Sequence, residues 1–366
     1  MNRRLQVVLA SALVAILCAG VRAQVQTEVP AVVPGAKPVT VEHIKIHGTS
    51  LEGNLEGDTV EREVIVFLPP SYGKDKLRRF PVVYALHGYS IGAEQWSHEI
   101  HVPQTIEGAF ALGSSEMIVV LPDSKTIYNG SMYSSSITTG DFENFIARDV
   151  VSYIDAHYQT IPERTSRGLV GHSMGGYGAS RIGMKHPEVF GALYIMSPCC
   201  MSPMGGGGTL TDEMKQRAIA NEKKVAGAKS PADLAAQSPG FGDRLFATAA
   251  AWAPDPKNPP LYFDLATKDG VPLPEIQAKY AANSALAFVD QYIGSLKQYR
   301  AISMDVGDQD GLRFDAIKLH DILDNYGISN GFEIYHGTHT SAVADRIQNH
   351  VLPFFSKNLC FTAGCK

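Results

Sequence analysis

Apolar residues recur along this chain in two alternating patterns. Pro81–Leu86 and Met117–Leu121 are unbroken apolar runs, the signature of strands buried on both faces. Phe142–Tyr158 instead places Phe145, Ile146, Val150, Tyr153 and Ile154 at helical spacing, and it precedes a short strand-like segment, Ser166–Gly171. A helix follows over Tyr177–Lys185, and Glu188–Ser197 holds another strand from Phe190 to Met196. Upstream, Val41–His47 and Glu61–Leu68 read as antiparallel strands around the turn-rich Gly53-Asn54 and Gly57-Asp58. Downstream, Leu261–Ala266, Ala301–Val306 and Gly331–His336 read as strands, with helices over Phe314–Tyr326 and Val343–Phe355. Strand–helix alternation of this kind specifies an α/β class with a mostly parallel central sheet covered by helices on both faces.

The pattern stops in three places. Gln24 to Thr40 is rich in Pro and Val without a period and reads as a flexible lead-in. Met201 to Pro260 holds a four-glycine run, Gly205–Gly208, an Ala/Lys-rich helical stretch over Thr211–Ala228 and the Pro-rich Pro254–Pro260. It reads as an insertion over the strand ends (201–260), where a lid would sit. The first residues have a third pattern: Arg3-Arg4, an apolar run over Leu5–Leu17, then Val21-Arg22-Ala23. That is a signal peptide (1–23), with the mature chain beginning near Gln24 and secreted or periplasmic. Its apolar run is short for a membrane span, so no stable membrane insertion is expected after cleavage. The catalytic domain then covers 41–358, leaving a short tail, 359–366.

Composition narrows the partners. The 366 residues are 45% hydrophobic and 19% charged, with a formal net charge of -5 and no Lys/Arg run that could track phosphates, so no nucleic acid is expected. Beyond the leader the cysteines are Cys199, Cys200, Cys360 and Cys365, which allow three pairings in an oxidising compartment. Cys360 and Cys365 close a small loop and can bridge each other, leaving Cys199-Cys200 as a vicinal pair or two buried thiols. The absence of a C-x-x-C argues against zinc.

The candidate chemistry centres on Gly171-His172-Ser173-Met174-Gly175. It fits G-x-S-x-G, the nucleophile elbow of α/β-hydrolases, in which serine sits on a sharp strand-to-helix turn with glycine two residues to either side. The predicted strand before it and helix after it supply the context the motif demands. A serine nucleophile needs a base and an acid, and on this fold they follow in the order Ser, Asp/Glu, His at strand ends. Past the last predicted strand stand His336 and His339; His339, in the loop where its ring can swing over the sheet, is preferred. Past the penultimate strand stand Asp308 and Asp310; Asp310, beyond the tight turn of Gly307-x-x-Asp310, is preferred. The oxyanion hole is assigned to the backbone N–H groups of Met174 and Tyr89, with Gly88 as the alternative to Tyr89. His87 and His172 are read as structural hydrogen-bonding residues near the site, and neither the His98/His101 pair nor Asp308-x-Asp310-Gly311 completes a metal site.

From about Val64 to Phe355 the chain resembles the putative-esterase family of α/β-hydrolases, which includes esterase D, feruloyl esterases and mycolyltransferases. The resemblance rests on Leu86-His87-Gly88, Leu121-Pro122-Asp123, Gly171–Gly178, Lys185-His186-Pro187-Glu188-Val189-Phe190, Gly307-x-x-Asp310 and Gly337-x-His339. It implies Ser173 as nucleophile, Asp310 as acid, His339 as base and the Tyr89 and Met174 amides as oxyanion hole, with no cofactor. Thr340-Ser341 stands where several members have an aromatic after the histidine. The expected function is a secreted serine carboxylesterase working through an acyl-enzyme, of feruloyl or acetyl-ester type, on a small-molecule or glycan-linked ester. An acyltransferase, an S-formylglutathione-hydrolase-like thioesterase and an inactive binding protein on the same scaffold are the alternatives.

Overall fold

Eight strands form one sheet in a computed structural model that describes residues 24–202, 210–237 and 244–365. We number them β1 (Thr40–His47), β2 (Glu61–Leu68), β3 (Val82–Leu86), β4 (Ile118–Pro122), β5 (Arg167–His172), β6 (Ala192–Met196), β7 (Ala301–Gly307) and β8 (Gly331–Tyr335). Their order across the sheet is β1-β2-β4-β3-β5-β6-β7-β8. The two N-terminal strands pair antiparallel, Thr40 opposite Leu68, and β2 pairs antiparallel with β4. All later neighbours are parallel, so their C-terminal ends line one edge.

The unbroken apolar runs are explained by two cores. Val82, Tyr84 and Leu86 of β3 enter one cluster, with Leu169, Leu193 and Ile195. Their alternates Val83 and Ala85 enter the cluster on the other face, with Val119, Leu121 and Val170. Successive side chains point to opposite faces, so a central strand needs apolar residues at every position. Each such side chain contributes about 1.5–3 kcal/mol on burial, and the sheet is thereby a rigid base for the loops at its edge.

Two expectations change. No sheet strand forms over Leu261–Ala266; only Phe263 makes a bridge, to Pro254, and Leu261 and Phe263 are buried in the core instead. The chain therefore leaves the sheet after β6 and returns at β7, a longer excursion than 201–260. Within it Arg244–Trp252 is a helix whose residues from Phe246 onward are all buried. Its Trp252 Nε1 donates to Ser134 Oγ at 3.0 Å, and Ser136 Oγ donates to the Ala250 carbonyl at 2.6 Å. The excursion is thus packed into the 124–141 loop rather than laid over the surface. Second, the lead-in has no strand or helix before Thr40, but Val25 is buried and residues from Gln24 to Glu28 are hydrogen-bonded to the body.

Cys360 and Cys365 form a disulfide, while Cys199 and Cys200 are free and buried with their sulfurs 2.7 Å apart. The leader (1–23) and Gly205–Gly208 lie outside the described residues. Among the described residues no helix is long and apolar enough to cross a membrane.

Candidate active site

Ser173 stands between β5 and the helix Met174–Lys185, with φ 60° and ψ -115°, outside the ordinary regions for a side-chain-bearing residue. Sterics explain the two flanking glycines. A Cβ on Gly171 would lie 2.0 Å from the Gly175 carbonyl oxygen, and one on Gly175 would lie 2.0 Å from the Leu86 carbonyl oxygen. The turn is held from below, since Ser173 N–H donates to Met196 O at 3.1 Å, and Ser173 O accepts from Cys199 N at 3.0 Å.

His339 reaches Ser173 from the loop after β8. Its Nε2 lies 2.9 Å from Ser173 Oγ, and its Nδ1 lies 2.7 Å from Asp310 Oδ2. Asp310 follows β7 across a turn closed by Asp310 N–H to Gly307 O at 3.1 Å, the turn expected from Gly307-x-x-Asp310. The Asp310 side chain is 3% exposed and that of His339 is 30% exposed. Burial acts to raise the Asp310 pKa, but the hydrogen bond and charge of His339 and the Leu312 N–H overcome it, so the carboxyl titrates below its usual range. The result is an ionised, buried acceptor aimed at Nδ1. That fixes the proton on Nδ1 and leaves Nε2 as the lone pair facing serine.

The alternatives go elsewhere. His336 Nδ1 pairs with Asp308 Oδ2 at 3.0 Å on the surface, with side chains 83% and 46% exposed, away from Ser173. Asp308 does hold the base loop, accepting from Gly337 N at 3.0 Å. Asp123 is bound to Arg62 at 2.5 Å and accepts from Ala93 N at 3.0 Å, a structural pairing.

His172 and His87 have the structural hydrogen bonds expected of them. Buried and next to His339, His172 has its pKa lowered to about 3, so it is neutral, and its Nε2–H donates to the His339 carbonyl at 2.8 Å. His87, also buried and lowered, accepts from Ser124 N at Nε2 (2.8 Å), so its Nδ1–H donates to Gly88 O at 2.8 Å. That bond fixes the peptide plane carrying the Tyr89 N–H. Met174 opens its helix, where the first N–H groups have no acceptor within the helix. A Cβ on Gly88 would lie 3.5 Å from Ser173 Cβ, so the Gly88-Tyr89 loop passes directly beside Ser173.

Several contributors carry no sequence signal. The 124–141 loop buttresses the site through Ser90 N to Asn129 O (2.8 Å) and Tyr133 OH to His87 O (3.1 Å), and it holds positive-φ residues Asn129, Met132 and Tyr133. Tyr128 meets Phe246 and Phe263 of the excursion in an aromatic cluster, with ring centroids 6.4 and 5.7 Å away. Surface hollows lined by Leu77, Phe80 and Phe361, and by His43, His98 and His101, include no residue of the Ser173 cluster. Among the described residues no group of three or more His, Cys, Asp or Glu could hold a metal ion.

Residues 59–343 match the family model described as putative esterase. This chain belongs to that family. Its fold is the α/β-hydrolase fold. An endo-1,4-beta-xylanase/feruloyl esterase from Xylanibacter ruminicola is 26% identical over 155 residues, 41% of this chain and 20% of that protein. The chain thus matches about a fifth of the length of that relative. Among solved structures, a ferulic acid esterase superposes with a TM-score of 0.61 at 22% identity, covering 88% of this chain and 99% of that one. A CE1 ferulic acid esterase from Anaeromyces mucronatus, solved with ferulic acid, gives 0.53 at 19%, covering 89% and 94%. Fluorophosphonate-binding serine hydrolase F of Staphylococcus aureus gives 0.55 at 14%, covering 88% and 98%. At these identities the structural likeness carries the fold.

Proposed function

We propose that this chain is a secreted serine carboxylesterase that hydrolyses feruloyl or acetyl esters through an acyl-enzyme. The observation that carries the mechanism is the continuous Ser173–His339–Asp310 relay, 2.9 and 2.7 Å long, on a glycine-flanked elbow. Ser173 Oγ attacks the ester carbonyl as its proton passes to His339 Nε2, and the C=O π pair moves onto oxygen. The Met174 and Tyr89 N–H groups receive that oxyanion. Collapse expels the alkoxide, which takes the proton from His339, leaving Ser173 acylated. Water then repeats the sequence with His339 as base and releases the acid. Asp310 remains ionised throughout, orienting the ring and stabilising the imidazolium. The feruloyl preference is supported by the related xylanase/feruloyl esterase, and export by the leader pattern.

Ser173→Ala should lower kcat on p-nitrophenyl acetate by at least about 10³-fold with little change in KM, and should abolish labelling by a fluorophosphonate probe. Full activity in that variant would sink the assignment. A panel of feruloyl, acetyl and short aliphatic esters then tests the acyl preference, and equal kcat/KM across it would remove the feruloyl part.

A further inference from the structure

The segment that follows the leader runs across the loops that carry the base and the oxyanion donor. At its start, Gln24 Nε2 donates to the Tyr89 carbonyl at 2.9 Å and to Ser90 Oγ. The backbone of the same residue is gripped separately, with Gln24 N 3.0 Å from Glu99 Oε1 and Val25 N 2.6 Å from Glu99 Oε2. Gln95 Nε2 holds that carboxylate at 2.8 Å, and Val25 is buried in the core cluster of Ile91 and Trp96. At its other end, Glu28 N donates to Ser341 O at 2.8 Å, and Ala344 N donates to Thr27 Oγ1 at 3.1 Å. Five residues therefore tie the Tyr89 loop to the loop just beyond His339.

We propose that Gln24 is a positioning residue for the oxyanion hole. Tyr89 lies between two peptide planes. The preceding plane, which contains its N–H, is fixed by His87 Nδ1–H on Gly88 O. The following plane is fixed by Gln24 on Tyr89 O and by Ser90 N–H on Asn129 O. With both planes held, the φ and ψ of Tyr89 are set, and so is the direction of the N–H. Ser90 itself has φ 64°, a conformation an untethered serine leaves readily. The Gln24 amide is thus a side-chain donor from outside the loop that holds this strained corner in place. Cleavage after Ala23, part of the export reading, makes Gln24 the first residue and turns its contact with Glu99 into an α-ammonium–carboxylate pair.

The inference rests on the esterase reading, and its test separates the two. Removing an oxyanion donor costs about 10²–10³ in kcat; a donor that stays but is no longer aimed should cost about tenfold. Gln24→Ala, and Gln24→Glu, which keeps the size but loses the donor, should both lower kcat about tenfold. KM, the acid limb of the pH–rate profile and the thermal midpoint should stay at wild-type values, because the triad and the core are untouched. Binding of a trifluoromethyl ketone, which forms an oxyanion on Ser173, should weaken by the same factor as kcat. Glu99→Gln should shift kcat in the same direction by less. Mass analysis of exported protein should show a chain that still contains Gln24 with its side-chain amide intact. Wild-type kcat in Gln24→Ala, a rate loss that follows the thermal midpoint or the pH limb, or a mature chain lacking the Gln24 amide would each overturn the proposal. A wild-type chain inert to esters and to fluorophosphonate would overturn the esterase reading and this one with it.

Discussion

Two His–Asp pairs lie within a few residues of one another, and they differ in everything except chemistry. Asp308 with His336 and Asp310 with His339 both come from the loops after β7 and β8, and both bring Nδ1 to a carboxylate oxygen, at 3.0 and 2.7 Å. The first pair is on the surface; in the second the carboxylate is buried, with Asp310 at 3% exposure, and His339 is half-buried against Ser173. Water screens the charges of the outer pair, so its coupling is weak. The inner pair has the same groups in a site where an ionised carboxylate is fixed by the Leu312 N–H and cannot exchange its partner for solvent. On the proposed mechanism, what surrounds the inner pair is what sets it apart.

The largest test of that contrast is at the inner pair. His339→Ala removes the base, and activity on p-nitrophenyl acetate should fall by about 10³–10⁴-fold or more, approaching that of Ser173→Ala. The double variant should be scarcely worse than either single one, because the two act as a unit. Additive losses would show that Ser173 and His339 are not coupled. Asp310→Asn comes next. It keeps the shape but offers an amide that can donate to Nδ1, inverting the tautomer, with an expected loss of about 10⁴ in kcat. A loss below tenfold would place the orienting carboxylate elsewhere, and Asp308 would be the first residue to examine.

How far the sequence foretold this depends on the range of the interaction. The elbow was legible because its constraint is local: Gly171 and Gly175 are two residues from Ser173, and any Cβ there collides with a backbone oxygen. The sheet was legible because strands buried on both faces must be apolar throughout, as β3 and β4 are. Asp310 could be favoured over Asp308 because the Gly307 turn sets which carboxylate points inward. Leu261–Ala266 misled because apolar residues report burial and not pairing; Phe263 is buried against Tyr128 and Phe246, with no strand beside it. The lead-in misled in the opposite sense. Its anchors at Glu99 and Ser341 lie 75 and 313 residues away in the chain, and no local pattern in Gln24 to Thr40 announces them. The buried 124–141 loop, likewise, is recognisable only once Ser134 and Ser136 meet the Trp252 helix.

A smaller effect should appear in stability at acid pH. His172 is neutral in the fold, with its pKa lowered to about 3 by burial and then by the neighbouring His339, against an ordinary value near 6.5. The unfolded chain therefore takes up this proton first. Stability is intact above about pH 6.5 and is lost as pH falls toward 3, with a slope of about 1.4 kcal/mol per pH unit for one proton. In His172→Gln, which can still donate to the His339 carbonyl, urea midpoints measured between pH 6 and pH 4 should fall less steeply, by roughly one proton's worth. An unchanged slope would mean that His172 is charged in the native state, which is incompatible with a buried ring whose Nδ1 has no hydrogen-bond partner among the described residues.

The smallest effect belongs to the outer pair. Asp308 is held below its usual carboxylate range by its hydrogen bond to His336 and by the Gly337 N–H. Asp308→Asn keeps an oxygen for Gly337 N and loses only the charge facing an exposed imidazole. On the argument from screening, kcat/KM should remain within about twofold of wild type, and adding salt should erase what difference there is. Asp308→Ala removes the Gly337 acceptor as well, so it should loosen the turn that presents His339 and cost more than the asparagine variant. If the two variants were equally slow, the charge of the outer pair would be acting on His339 at a distance, and the division into a catalytic and a surface pair would fail. If only the alanine variant is slow, the outer aspartate serves the site through its geometry and not through its charge.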